Sequence, residues 1–132
     1  MARRSRHFVQ PQDLCTTLLW ALGVSESTSA FPGQDLRRIA SGEEEARDRM
    51  CATFGDQYAI RTPAWFMRES ATEGVTLFFK PDDFWEANEV ARRCDQVVQL
   101  LQQAHTDLIG AVNAGSLDQL PQLPEVLVHG LD

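Results

Sequence analysis

Two groupings of side chains in this sequence have the residue types for chemistry, and spacing decides both. Cys94 and His105 are eleven residues apart, on one face of a helix. A thiolate and an imidazole can hold zinc or act as nucleophile and base. At 1.5 Å per residue they stand ~16 Å apart along the axis, too far to share one ion. Asp82, Glu86 and Glu89 share a helix face and have the oxygens for a divalent cation. Carboxylates at a helix start instead complement its dipole on a solvated face. The run "EEEARDR" lets Glu43 reach Arg47 and Glu45 reach Arg49, which also describes a solvated face. There is no GxSxG, HExxH, Walker loop or dinucleotide fingerprint, and His7, His105 and His129 are scattered. The reading is therefore non-enzymatic, with no catalytic residue, cofactor or metal.

Composition narrows the class further. At 132 residues, 43% hydrophobic and 23% charged, the chain suits one globular domain with a real core. Three cysteines, none in a CxxC pair, argue against a disulfide framework and for a reducing cytoplasm. No apolar run approaches the ~20 residues of a membrane span, and "MARRSRHFVQ" lacks the apolar region of a secretory signal.

The net charge of −7 is unevenly placed: Arg3, Arg4 and Arg6 lie in a basic arm over residues 1–10. Residues 13–132 carry nine bases against nineteen acids. Such a body repels phosphate backbones, so nucleic-acid binding is confined to the arm, with His7 and Phe8 offering stacking.

The remaining pattern supplies the elements. Pro11 and Asp13 open a helix over 11–22 that places Leu14, Cys15, Leu18, Leu19 and Leu22 on one face, with Gly23 as its stop. A helical turn at 34–40 precedes a second helix behind the capping box Ser41/Glu44, with Ala46, Met50, Cys51 and Phe54 as its stripe. Residues 64–69 and 75–80 alternate with period two and pair as a hairpin near Gly74, with Tyr58–Arg61 as a third strand. A rival reading starts a helix at Thr62-Pro63. A long helix then runs from Pro81 to about Asn113, stopped by Gly115. The expected fold class is α+β: two shorter helices, a small antiparallel hairpin, one long helix and an extended tail. An all-α bundle is the alternative. Residues 11–132 form one domain, with the tail 117–132 packing on it or serving as a docking peptide.

Heptad spacing from Phe84 through Ala91, Cys94, Val98, Leu101, His105, Leu108 and Val112 leaves a wide apolar stripe that something must cover. His105 within it reads as a half-buried imidazole at the stripe's edge. The function that fits is a small acidic, non-catalytic protein-interaction protein of the inhibitor, immunity-type, adaptor or chaperone kind. It would grip a protein partner, a basic one by charge, or a second copy of itself. The expected surface is Trp65 and Phe66 of the hairpin with Val98, Leu101, His105, Leu108 and Val112 of the long helix. The alternative is a nucleic-acid accessory factor using Arg3, Arg4 and Arg6.

Overall fold

The computed structural model describes residues 5–24 and 33–131. The chain gathers into two compact units, residues 1–47 and 48–132, and their boundary falls within the segment read as a second helix. No helix among the described residues is long and apolar enough to cross a membrane.

In the first unit, helix α1 (Pro11–Ala21) forms as its Pro11 and Asp13 foretell. Its buried side chains, however, are Asp13 and Thr16, while Leu14, Leu18 and Leu22 are exposed. The polar face wins because Asp13 is a hub. Its carboxylate accepts the Gln10 N–H at 2.7 Å and the Gln34 N–H at 2.9 Å, and pairs with the Arg47 guanidinium. The Thr17 hydroxyl accepts the Leu36 N–H at 3.0 Å. Gly33 has no alternative, since a Cβ there would lie 2.2 Å from the Gln12 carbonyl oxygen. Helix α2 (Leu36–Ser41) follows, capped by the Asp35 carboxylate on the Arg37 N–H and ended by Gly42 in the left-handed region.

The expected helix over 42–54 is absent. Ser41 ends α2, and its hydroxyl meets the Arg38 carbonyl and Glu43 rather than capping a new helix. The expected pairs with Glu43 and Glu45 are replaced: Arg47 joins Asp13, and Arg49 pairs with Asp48 at 2.8 Å.

The second unit begins midway along that segment. Strands β1 (Met50–Phe54), β2 (Gln57–Arg61), β3 (Trp65–Ser70) and β4 (Gly74–Phe79) form an antiparallel meander in the order β1-β2-β3-β4. The protein is thus α+β, and the all-α alternative is excluded. Gly55 and Asp56 close the first hairpin with Gly55 at φ 60°, and the last closes with Ser70 opposite Gly74. Registry puts Cys51, Ile60, Met67 and Leu77 on one face, with Ala52, Ala59, Arg68 and Thr76 on the other.

Helix α3 (Asp95–Ala114) lies on the first of these faces, ended by Gly115 in the left-handed region. It buries Val97, Leu101 and Ala104 against Ile60, Met67, Leu77 and Trp65. The expected helix from Pro81 therefore starts fourteen residues later, at Asp95. Over 80–94 the partners a helix would use are taken elsewhere. The Asp83 carboxylate accepts both the Ala87 and Asn88 N–H groups at 2.8 Å. Glu89 accepts the N–H groups of Leu77 and Ala91, and Val90 donates its N–H to the Leu77 carbonyl at 2.9 Å. This segment closes part of the β4 edge instead of extending α3, an edge that would otherwise invite foreign strands.

The tail packs as well. Helix α4 (Glu125–His129) buries Leu127 completely. The Trp65 indole donates to the Val126 carbonyl at 2.8 Å, the Ala64 N–H reaches the Leu127 carbonyl at 3.3 Å, and Arg49 bonds the Pro121 carbonyl. These contacts seat 121–129 against β3 and the chain entering β1.

Candidate functional site

The seven residues expected to form one surface are divided by the fold. Trp65 is 2% exposed and Leu101 fully buried, so both are core. Val98, His105 and Leu108 are half-buried on the sheet side, and only Val112 of the helix set is exposed. Phe66 is half-buried on the opposite sheet face, stacked on Phe78 at 6.4 Å. Strand alternation explains this split, because Trp65 and Phe66 are neighbours in sequence and must point to opposite faces. Arg6 is exposed, whereas Arg3 and Arg4 lie outside the described residues.

His105 has a structural setting of its own. Its ring stacks on Tyr58 with centroids 3.7 Å apart and planes 12° apart. The Tyr58 hydroxyl donates to Glu69, which also accepts the Gln102 amide at 3.0 Å. The His105 Nε2 is buried and has no hydrogen-bond partner among the described residues. Burial lowers the His105 pKa, against a smaller opposing pull from Glu69. Burial and then Glu69 raise that of Tyr58, and burial pushes the Cys51 thiol up to about 12. Phenol, thiol and imidazole therefore all favour their neutral forms, which suits a brace between α3 and the sheet.

A pH effect on stability follows from His105. Above its ordinary value of 6.5 both folded and unfolded chains hold it neutral. As pH falls below that value the unfolded chain takes up the proton first, so stability drops until the lower folded pKa is passed. Denaturant midpoints measured between about pH 7.5 and 5 should fall more steeply for the wild type than for His105→Phe. Parallel pH profiles would refute this account.

The segment between β4 and α3 holds the most unusual surface. Its polar groups are turned inward: besides the Asp83 and Glu89 bonds, the Lys80 ammonium holds Glu86 at 3.1 Å and the Phe84 carbonyl at 3.3 Å. Asp83 is held below the usual carboxylate range by the N–H groups of Asn88 and Ala87. Glu86 is left-handed at φ 57°, a conformation that costs a side-chain-bearing residue of order 1 kcal/mol or more. Of Asp82, Glu86 and Glu89, two are thus engaged within the loop, and no metal-holding group of three occurs among the described residues.

Against that bracing, Phe84 and Trp85 stand outward, 74% and 84% exposed. Their rings meet edge to face with centroids 5.0 Å apart. A helical reading had set Phe84 in the apolar stripe. The overlooked signal is the company the pair keeps rather than the pair itself. Turn-forming Pro81, Asp82, Asp83 and Asn88 surround it.

No protein-family model and no curated protein sequence matches this chain.

Proposed function

We propose that this chain is a non-catalytic protein-interaction protein whose contact is centred on Phe84 and Trp85. The observation carrying the reading is a cross-braced loop that satisfies its own polar groups, tolerates a left-handed glutamate and leaves two large aromatics in water. Aromatic side chains dominate interface energetics and form hot spots when a partner's pocket desolvates them. Preorganisation adds to this, because a loop already fixed gives up little freedom on binding.

Charge supports a basic partner. Residues 1–47 hold six bases and six acids, so the whole −7 resides in residues 48–132, which hold six and thirteen. That field speeds encounter with a positively charged surface and resists anionic ones. All three cysteines are free, in keeping with a reducing compartment.

Matched baits provide the test. A partner isolated on the wild type should bind Trp85→Ala with a loss of about 2 kcal/mol or more, roughly thirtyfold in Kd. Because the residue is exposed, the unfolding midpoint should change by no more than about 0.5 kcal/mol in equivalent stability. Equal affinity for wild type and the Phe84→Ala/Trp85→Ala double variant would remove the basis of the proposal.

A further inference from the structure

The sheet face turned away from α3 has a chemistry unlike the rest of residues 48–132. Its side chains form three rows across the strands: Phe54, Gln57, Ser70 and Gly74; then Ala52, Ala59, Arg68 and Thr76; then Met50, Arg61, Phe66 and Phe78. No carboxylate stands in any row, although acids outnumber bases about two to one in this unit. The middle row is shallow because two of its members are alanine, and the first row ends on a glycine. The result is a depression of about 240 Å³ over Ala52 and Ala59, walled by Phe54 and rimmed by Gln57, Arg68 and Thr76.

Arg68 is positioned rather than loose. Its guanidinium lies 5.9 Å from the Phe66 ring centre and 5.8 Å from that of Phe78, within cation–π range. It makes no ion pair among the described residues. The other nearby cations are committed: Arg61 to the carbonyls of Thr62 and Trp65, and Lys80 to Glu86. Two acids line the same depression: Glu69 of β3, whose carboxylate accepts from Tyr58 and Gln102, and Glu73 in the β3–β4 turn, at the end away from the Phe66 row.

We infer that this depression binds a small anion carried on a flat apolar body, a carboxylate or phosphate attached to a ring. The head group sits on Arg68 beside the Thr76 hydroxyl, where a guanidinium offers two parallel donors. The ring lies over Ala52 and Ala59 against Phe54, whose own ring is 86% exposed. The volume is below the ~300–1,000 Å³ of sites for drug-sized ligands, so the ligand is small. The site does not involve Phe84 or Trp85, and its fate is separate from theirs.

Amide NMR titration of the purified chain tests it. The probes are benzoate and adenosine 5′-monophosphate, each beside its uncharged counterpart, benzyl alcohol and adenosine. At least one anion should shift amides over 52–54, 57–59, 68 and 74–76 saturably, and bind about tenfold or more tighter than its neutral counterpart. Which anion binds identifies the head group. Arg68→Gln, a change at an exposed side chain, should weaken binding about tenfold. Ala59→Leu should abolish it by filling the depression while leaving charge untouched, and the remaining amide pattern of each variant reports its fold. Absence of saturable shifts with both anions, equal binding of charged and neutral probes, or unchanged affinity in either folded variant would overturn the inference.

Discussion

Leu101→Asp unfolds residues 48–132. Leu101 is fully buried and packs with Ile60, Met67, Leu77, Val97 and Leu127 in the cluster that joins helix to sheet. An unpaired carboxylate there must either remain charged in an apolar site or take up a proton, and each course costs several kcal/mol. Total stability of a domain this size is only about 5–15 kcal/mol, so the change consumes much or all of it. Leu101→Ala grades the effect: it should stay folded with about 2–5 kcal/mol lost, through a cavity that neighbours fill incompletely. Circular dichroism and denaturant titration read both. A soluble Leu101→Asp chain with the wild-type midpoint would mean that α3 does not lie on the sheet.

Asp13→Ala should be comparably severe for the first unit. The carboxylate is fully buried and serves two backbone N–H groups and the Arg47 guanidinium. Its removal leaves two backbone N–H groups without this acceptor and Arg47 with only the Gln10 and Gln34 amide oxygens, and breaking a buried charge pair from one side typically costs about 3–5 kcal/mol. Hydrogen exchange over Pro11–Ala21 should rise towards the unfolded rate, with Asp13→Asn intermediate because it keeps an acceptor oxygen without the charge. Protection of α1 unchanged in Asp13→Ala would show that the hub contributes nothing to holding 33–47 on the helix.

These two sites also show what was legible from residues alone. Leu101 was legible as an apolar member of the helix stripe, but it was expected on a contact surface, whereas it lies in the core. The α3 half beyond Asp95, the α1 boundaries and the β2–β3–β4 pairing follow from equally local rules. Asp13 was legible only as a helix-start residue; its bond to Gln10 is local, but Gln34 and Arg47 come from distant positions that no periodicity announces. The two misread helices share one cause: the N–H groups a helix would use find other acceptors, in a neighbouring strand or in side chains. Ser41 with Glu44 has the form of a capping box, and Ala46, Met50, Cys51 and Phe54 approximate helical spacing, but Gly55-Asp56 permits a tight turn and pairing with β2 prevails. Asp82 and Asp83 likewise match a helix start, whereas Asp83 actually closes a loop on Ala87 and Asn88. The residues expected to form one surface from Trp65 through Val112 are divided between core and exterior because a heptad count does not reveal which side a sheet will cover. Phe84 and Trp85 were visible in the sequence as letters, yet only the broken helix gives them their exposure.

The seat of Leu127 bears on how this molecule is made. Ala64 and Trp65 receive their contacts from residues more than sixty positions later. As the chain emerges from a ribosome, the meander can pair early, but one side of it stays wet until α3 and α4 have both left the exit tunnel. Translation ended between β4 and α3 would release a sheet with that side bare, and one ended between α3 and α4 would leave it without Leu127; such fragments are natural targets for proteolytic clearance.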